Sequence, residues 1–199
     1  MCIRDRSKAL KYIVDRHESL RTLIAENENG QPTGLLVESS TQNEILVTTD
    51  LSTEFRQDPK QCSETVDRLI QEEASTSFNL AIEIPIRAKL LSLSPDEHIL
   101  LITLHHHAGD GATWGIFSRE LGLAYEAFDK AITPNFPTLP IQYSDWAHWQ
   151  EASLKKKIAD KLKRTKQRLV NIPTQLTLPI DHPRQSDRAR KAGYASVFI

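Results

Sequence analysis

Three adjacent imidazoles and a carboxylate stand within six residues, His105-His106-His107-Ala108-Gly109-Asp110, and Gly111 follows directly. A neutral imidazole titrates near pH 7, so it can take a proton from an attacking nucleophile. Asp110 lies four residues beyond His106, where it either orients the ring or turns away to pair with an arginine. Backbone N–H groups around Gly109 and Gly111, with the start of a following helix, could face developing negative charge. A metal is the competing chemistry. Adjacent histidines on a strand point to opposite faces, and no helical i, i+4 histidine pair or cysteine pair completes a shell, so no metal site is expected. The chain also lacks a nucleophile in a recognised setting. There is no G-x-S-x-G elbow, Cys62 has no motif around it, and neither a phosphate loop nor a dinucleotide fingerprint occurs. A histidine base without its own nucleophile suggests direct transfer, one substrate attacking another while the protein is never acylated.

The elements around this stretch explain how it would be positioned. Ile99 to Leu104 is a continuous apolar run, which reads as a strand buried on both faces, and the strand is expected to run on to His106. Thr113 to Phe128 has helical spacing at Ile116, Phe117, Leu121, Leu123, Ala124 and Phe128. The histidines therefore fall between a strand end and a helix start. Upstream, Ser7 to His17 reads as a short helix that Ser7 could cap. Asn29-Gly30 marks a hairpin turn, Ile45 to Thr49 a further strand, and Ser63 to Phe78 a helix. Ile84 to Leu91 pairs with the strand before the histidines across Ser94 to Glu97. A proline-rich connection, Thr133 to Pro140, leads to a long helix, Tyr143 to Val170, which is strongly basic after Leu154. Tyr143, Trp146 and Trp149 on it are expected to pack, and its lysines and arginines to form a solvated face. Tyr194 to Ile199 closes the chain as a strand-like run. Hairpins with interspersed helices predict an α/β (α+β) sandwich of two layers around a mixed sheet.

Composition narrows the class. The 199 residues carry 25 Lys and Arg against 26 Asp and Glu, a net charge of −1, so nucleic acid is not an expected partner. No apolar run approaches the ~18 residues of a membrane span. Two cysteines, Cys2 and Cys62, do not make a disulfide framework, and a reducing, cytoplasmic setting is expected. Residues 1–6 lack the apolar core of a signal peptide and read as a non-native remnant before the folded part.

The same residues resemble a known family. His105-His106-x-x-x-Asp110-Gly111 is similar to the HHxxxDG core of the condensation domains of nonribosomal peptide synthetases. Arg16-His17-Glu18-Ser19-Leu20-Arg21-Thr22 resembles that family's RHExLRT segment. Phe78-Asn79-Leu80 with Pro85-Ile86-Arg87-Ala88, then Leu139-Pro140-Ile141-Gln142-Tyr143 with Asp145-Trp146-Ala147 and Trp149-Gln150, match further segments in order. Leu178 to Arg184 matches the tail that follows. HHxxxDG alone is shared with wax-ester synthases; all the segments together are far more specific. Two departures stand out. Ala112-Thr113 replace the Trp-Ser that often follows the motif, with a tryptophan displaced to Trp114, and His107 occupies a position usually apolar.

The resemblance implies one half of a chloramphenicol-acetyltransferase-like pseudo-dimer. Residues 7–170 would be the N-terminal half, and residues 171–199 a linker and first strand towards an absent C-terminal half. It implies amide formation between aminoacyl or peptidyl thioesters carried on the phosphopantetheine of upstream and downstream carrier proteins, with no cofactor bound by this chain. His106 would be the reaction-centre base and His105 its motif neighbour. Gly111 would keep the loop close to the thioester. Asp110 would hold the loop through an ion pair with an arginine of the RHExLRT segment, Arg21, with Arg16 also supporting the site. An ester-forming acyltransferase of the same fold and a non-catalytic module that only docks carrier proteins are the alternatives, and a half-domain alone is expected to be inactive.

Overall fold

The computed structural model describes residues 3–38, 45–173 and Pro179. The described chain runs α1 (Ile3–Arg16), a 3-10 turn (Glu18–Arg21), β1 (Thr22–Glu26), β2 (Pro32–Leu36), β3 (Leu46–Asp50), α2 (Ser52–Gln57) and α3 (Pro59–Ser75). It continues through β4 (Ile86–Ser92), β5 (His98–Leu104), α4 (Gly111–Asp129) and α5 (Tyr143–Arg168). The expected closing strand, Tyr194 to Ile199, lies outside the described residues.

The site rests on a mixed three-stranded sheet of order β3-β4-β5. β4 pairs antiparallel with β5, Ile86 opposite Leu104, through the expected hairpin. β3 pairs parallel with β4, Leu46 opposite Ala88, so the chain must cross over between them, and α2 and α3 are that crossover. β1 and β2 form a separate hairpin about Gly30, whose φ of 70° suits a residue without a Cβ. Asn27 Oδ1 accepts from the amides of Asn29 and Gln31 and holds that turn.

Strand alternation assigns the two faces. Ile86, Ala88 and Leu90 of β4 point to one face, where Ala9, Leu10, Ile13 and Val14 of α1 and Phe117 and Ala124 of α4 cover them. The four α1 residues are at most 2% exposed and form one helical stripe. Each large aliphatic buried this way contributes about 1.5–3 kcal/mol relative to exposure. Leu91 and Leu93 point the other way, onto Cys62 and Val66 of α3 and Leu51. Helical cover therefore lies on both faces of the expected mixed sheet.

Several boundaries differ from the sequence reading. α1 starts at Ile3, so residues 3–6 continue the helix and Ser7 sits inside it instead of capping it. Asp5 in the first turn pairs with Lys8 at 3.5 Å. α3 starts at Pro59, four residues early, because Asp58 caps it by accepting from the amides of Lys60 and Gln61. α2 was not anticipated. It is a short turn opened by Asp50, whose carboxylate accepts from Ser52 N at 2.9 Å; that bond holds the carboxyl below the usual range. β5 ends at Leu104, before the histidines, and is half-buried at the edge of the described sheet, with Leu100 40% exposed. Its apolar run records a demand for cover on both faces that the described residues meet only in part.

The proline-rich connection packs along α1. Tyr12 donates to Pro134 O at 3.1 Å and meets Phe128 and Phe136 edge-on, while Arg16 Nη1 donates to Pro137 O at 2.8 Å. The chain divides into two compact units at Ser153 and Leu154, inside α5. In the first unit Tyr143 and Trp149 are exposed, at 61% and 64%, where packing residues were expected. The described part of the second unit is the basic remainder of α5, whose described side chains are exposed, and the segment that follows it.

Candidate active site

The loop from His105 to Asp110 leaves the head of β5 and is tied at both ends. His105 N donates to Pro85 O at 2.9 Å, next to the first residue of β4. At the far end Asp110 is the N-cap of α4. Its Oδ1 accepts from Ala112 N at 3.0 Å and Thr113 N at 3.3 Å, and the Thr113 hydroxyl accepts from Asp110 N at 2.9 Å, which closes a capping box. The first amides of a helix have no partner within it, so a carboxylate one residue before α4 is drawn to them.

This overturns the expected Asp110–Arg21 ion pair. Arg21 donates to Val37 O at 2.8 Å and lies 3.8 Å from Glu18, within its own turn of chain. Arg16 is likewise committed elsewhere, 3.3 Å from Glu120 Oε2. The two arginines hold the segment after α1, not the aspartate.

Between its ends the loop needs one glycine in particular. A Cβ on Gly109 would lie 2.7 Å from Leu104 Cδ2 and 2.8 Å from Thr113 side-chain atoms, so the chain there admits no side chain without movement. A Cβ on Gly111, the motif glycine, would meet nothing within 4 Å. The tight packing is thus at Gly109, and Gly111 presents open space.

The three imidazoles have different surroundings. His105 packs edge-on against Phe78, ring centres 5.7 Å apart, and Phe78 in turn lies under the Arg87 guanidinium at 4.0 Å. His107 Nε2 donates to Thr22 O at 3.1 Å and so fastens the loop to β1. His105 Nδ1 lies 3.2 Å from both His107 Nδ1 and His107 N. A neutral ring nitrogen either donates or accepts, so it makes one of these two bonds at a time. Burial pushes the His107 pKa down from 6.5 and the neighbouring His105 adds to this, against the opposing pull of the Thr22 carbonyl. His106 is exposed and makes no hydrogen bond among the described residues.

His106 lines a cavity of about 310 Å³ with His107, Gly109, Asp110, Thr113, Phe117 and Tyr143, closed on another side by His17, Ser19 and Leu20. His105 is not part of that wall. The expected residues therefore converge only in part: His106, Asp110 and the loop backbone share the cavity, while Arg21 and Arg16 stand behind it.

The pairing of Glu120 with His17 beside this cavity was not anticipated. Glu120 on α4 is 9% exposed, and its Oε2 accepts from His17 Nε2 at 2.7 Å. Its sequence signal was available. Phe117, Glu120, Leu121, Ala124 and Phe128 share one helical stripe, so a carboxylate there must be buried and needs partners. Trp114 faces elsewhere, into a second cavity of about 410 Å³ lined by Leu100, Ile102, Leu121 and Tyr125. Among the described residues no group of three or more His, Cys, Asp or Glu is placed to hold a metal ion.

The fold is a mixed α/β arrangement in which a histidine loop runs from a strand head into a capped helix, and likeness to known proteins gives its family. The chain belongs to the condensation domains, whose family model, "Condensation domain", matches residues 4–197. It is 36% identical over 185 residues to a dimodular nonribosomal peptide synthase of Bacillus subtilis (strain 168), spanning 90% of this chain and 7% of that protein. It is 35% identical over 194 residues to a linear gramicidin synthase of Brevibacillus parabrevis, spanning 96% of this chain and 4% of that one. Among solved structures it resembles the X-domain from teicoplanin biosynthesis, with a TM-score of 0.78, 25% identity, and coverage of 93% of this chain and 39% of that chain. The chain thus spans less than a tenth of these synthases and about two fifths of the solved domain.

Proposed function

We propose that this chain supplies the histidine loop of an amide-forming condensation domain. In this reading the α-amine of one aminoacyl thioester attacks the carbonyl of a second acyl thioester. The C–N bond forms and the C–S bond breaks. One amine proton passes to His106, which returns it to the departing thiolate. Both substrates are carried on phosphopantetheine arms of carrier proteins in a cytoplasmic synthetase, and the remainder of the domain lies outside this chain. Asp110 shapes the loop through the helix cap and takes no part in proton transfer.

One observation carries the reading. Of three adjacent imidazoles, His105 and His107 are engaged by the fold, and His106 alone is exposed, unbonded among the described residues and on a cavity wall. An imidazole left without a partner beside two that have them is available to a substrate. No helix among the described residues is long and apolar enough to cross a membrane.

The test uses the full-length protein that carries this chain, with acyl and aminoacyl groups loaded on carrier proteins and products read by intact mass. The expected product is one carrier bearing the joined amide and the other bearing a free thiol. Hydrolysis of both thioesters without a joined product, or transfer to an added alcohol in its place, would contradict the reading.

A further inference from the structure

We infer that His17 is a second substrate-binding imidazole of the cavity, an acceptor that orients the attacking amine, and that Glu120 sets its tautomer. The inference rests on the amide-forming reading above. Its starting point is a hydrogen bond with a defined direction. A carboxylate only accepts, so the 2.7 Å contact between His17 Nε2 and Glu120 Oε2 places the proton on Nε2. In the neutral ring Nδ1 is then the lone-pair nitrogen, and it has no hydrogen-bond partner among the described residues.

The fold invests heavily in this arrangement. Among the described residues Glu120 is the one charged side chain that is buried, and it is anchored by Arg16 at 3.3 Å as well as by His17. The backbone on both sides of His17 is fixed by one glutamine: Gln142 Nε2 donates to Arg16 O at 3.0 Å, and Gln142 Oε1 accepts from Glu18 N at 3.2 Å. A histidine that served only to neutralise Glu120 would gain nothing from exposure. His17 instead keeps 23% of its side chain accessible and lines the same cavity as His106. An amine nucleophile carries more than one N–H. His106 can take the proton that leaves, while His17 Nδ1 accepts from another and fixes the direction of the nitrogen lone pair.

The test compares three variants of the full-length protein. Substrates are acetyl-N-acetylcysteamine as donor and each of the twenty aminoacyl-N-acetylcysteamine thioesters as acceptor, and kcat and KM are determined for whichever acceptors the parent uses. His17→Gln keeps a donor at the Nε2 position for Glu120 and removes the ring acceptor. His17→Asn places an amide oxygen where Nδ1 stood. The expected result for H17Q is an acceptor KM raised about tenfold, the scale of one lost hydrogen bond. The donor KM should be unchanged and the melting temperature close to the parent's. H17N should recover part of the acceptor KM despite losing the Glu120 contact. An unchanged acceptor KM in a folded H17Q, or equal losses for donor and acceptor, would overturn the inference and leave His17 as a structural tie. If H17Q fails to fold, H17N decides: an acceptor KM no better than that of His17→Ala overturns it. His106→Ala is the control for the underlying reading. If that variant still forms amides, the reaction assignment fails; if it is inactive while H17Q binds acceptor normally, only the role of His17 fails.

Discussion

The two faces of the β3-β4-β5 sheet are made by alternate residues of the same strands and treat polar groups differently. On the far face Arg87 and Lys89 alternate with the core residues of β4, and both reach Glu73 of α3, at 2.9 and 3.3 Å. Charge there is matched with charge, and the cluster ties helix to strand. On the near face, under α1 and α4, Glu120 is matched by Arg16 and His17. The same face carries the cavity, and there His106 is left with no partner among the described residues. The contrast separates scaffold from site: a polar group that the fold satisfies holds structure, and one that it leaves unsatisfied beside a cavity is available for chemistry.

The sharpest way to break this comparison is to remove the buried carboxylate. Glu120→Ala strands Arg16 and His17, and losing one partner of a buried pair typically costs ~3–5 kcal/mol. Urea unfolding should show a loss in that range. A change below about 0.5 kcal/mol, ordinary for an exposed surface site, would mean that Glu120 is not the anchor of the near face.

The glycines come next. Gly109→Ala should cost about 1–3 kcal/mol, the range for overpacking, because Leu104 and Thr113 occupy the space. Gly111→Ala meets nothing and should leave stability within about 0.5 kcal/mol. Equal effects of the two substitutions on melting would contradict the packing of the loop.

Asp110 distinguishes a cap from an ion pair. Asp110→Asn should be nearly neutral, since asparagine caps as well as aspartate, and Asp110→Ala should cost about 0.5–2 kcal/mol. A large loss on Asp110→Asn, measured by thermal unfolding, would restore the charge-pairing role that the sequence suggested.

The smallest expected effect is in the pH dependence. The His107 pKa is lowered in the folded state, so below 6.5 the unfolded chain takes up a proton that the folded loop resists. This histidine therefore subtracts stability as pH falls from 6.5 towards its folded pKa, with no further loss below that value. His107→Leu should flatten this part of the curve, gaining on the parent between pH 7.5 and 5.5. A parent-to-variant difference that is equal at both pH values would show that the titration of His107 is not linked to folding.

Much of this was legible in the residues. Helical spacing located α4 and α5, the turn signal of Ser94 to Glu97 located the β4-β5 hairpin, and Asn29-Gly30 located the β1-β2 turn, because these signals are local. The family segments were legible for the same reason. The start of α3 was also local, in Asp58-Pro59, but the weaker apolar signal further on took precedence over the cap and the helix-initiating proline. The role of Asp110 was misread in a related way: a remote arginine was preferred to the amides one turn away. The His17–Glu120 bond joins residues 103 apart in sequence, and no spacing rule carries such a contact. Only the misfit of a carboxylate within an apolar stripe hinted at it. The half-exposure of β5 was not legible, since an apolar run states what a strand needs covered and not what covers it.

The central claim is that His106 does chemistry and not structure. It is tested most directly by His106→Ala in the full-length protein, with unfolding free energy and amide formation measured on the same preparation. The account predicts stability within about 0.5 kcal/mol of the parent, as for other exposed side chains. It predicts amide formation slowed at least ~100-fold, the lower end of what a positioned general base contributes. Amide formation at the parent's rate, or a loss of activity that simply follows a loss of folded protein, would contradict it.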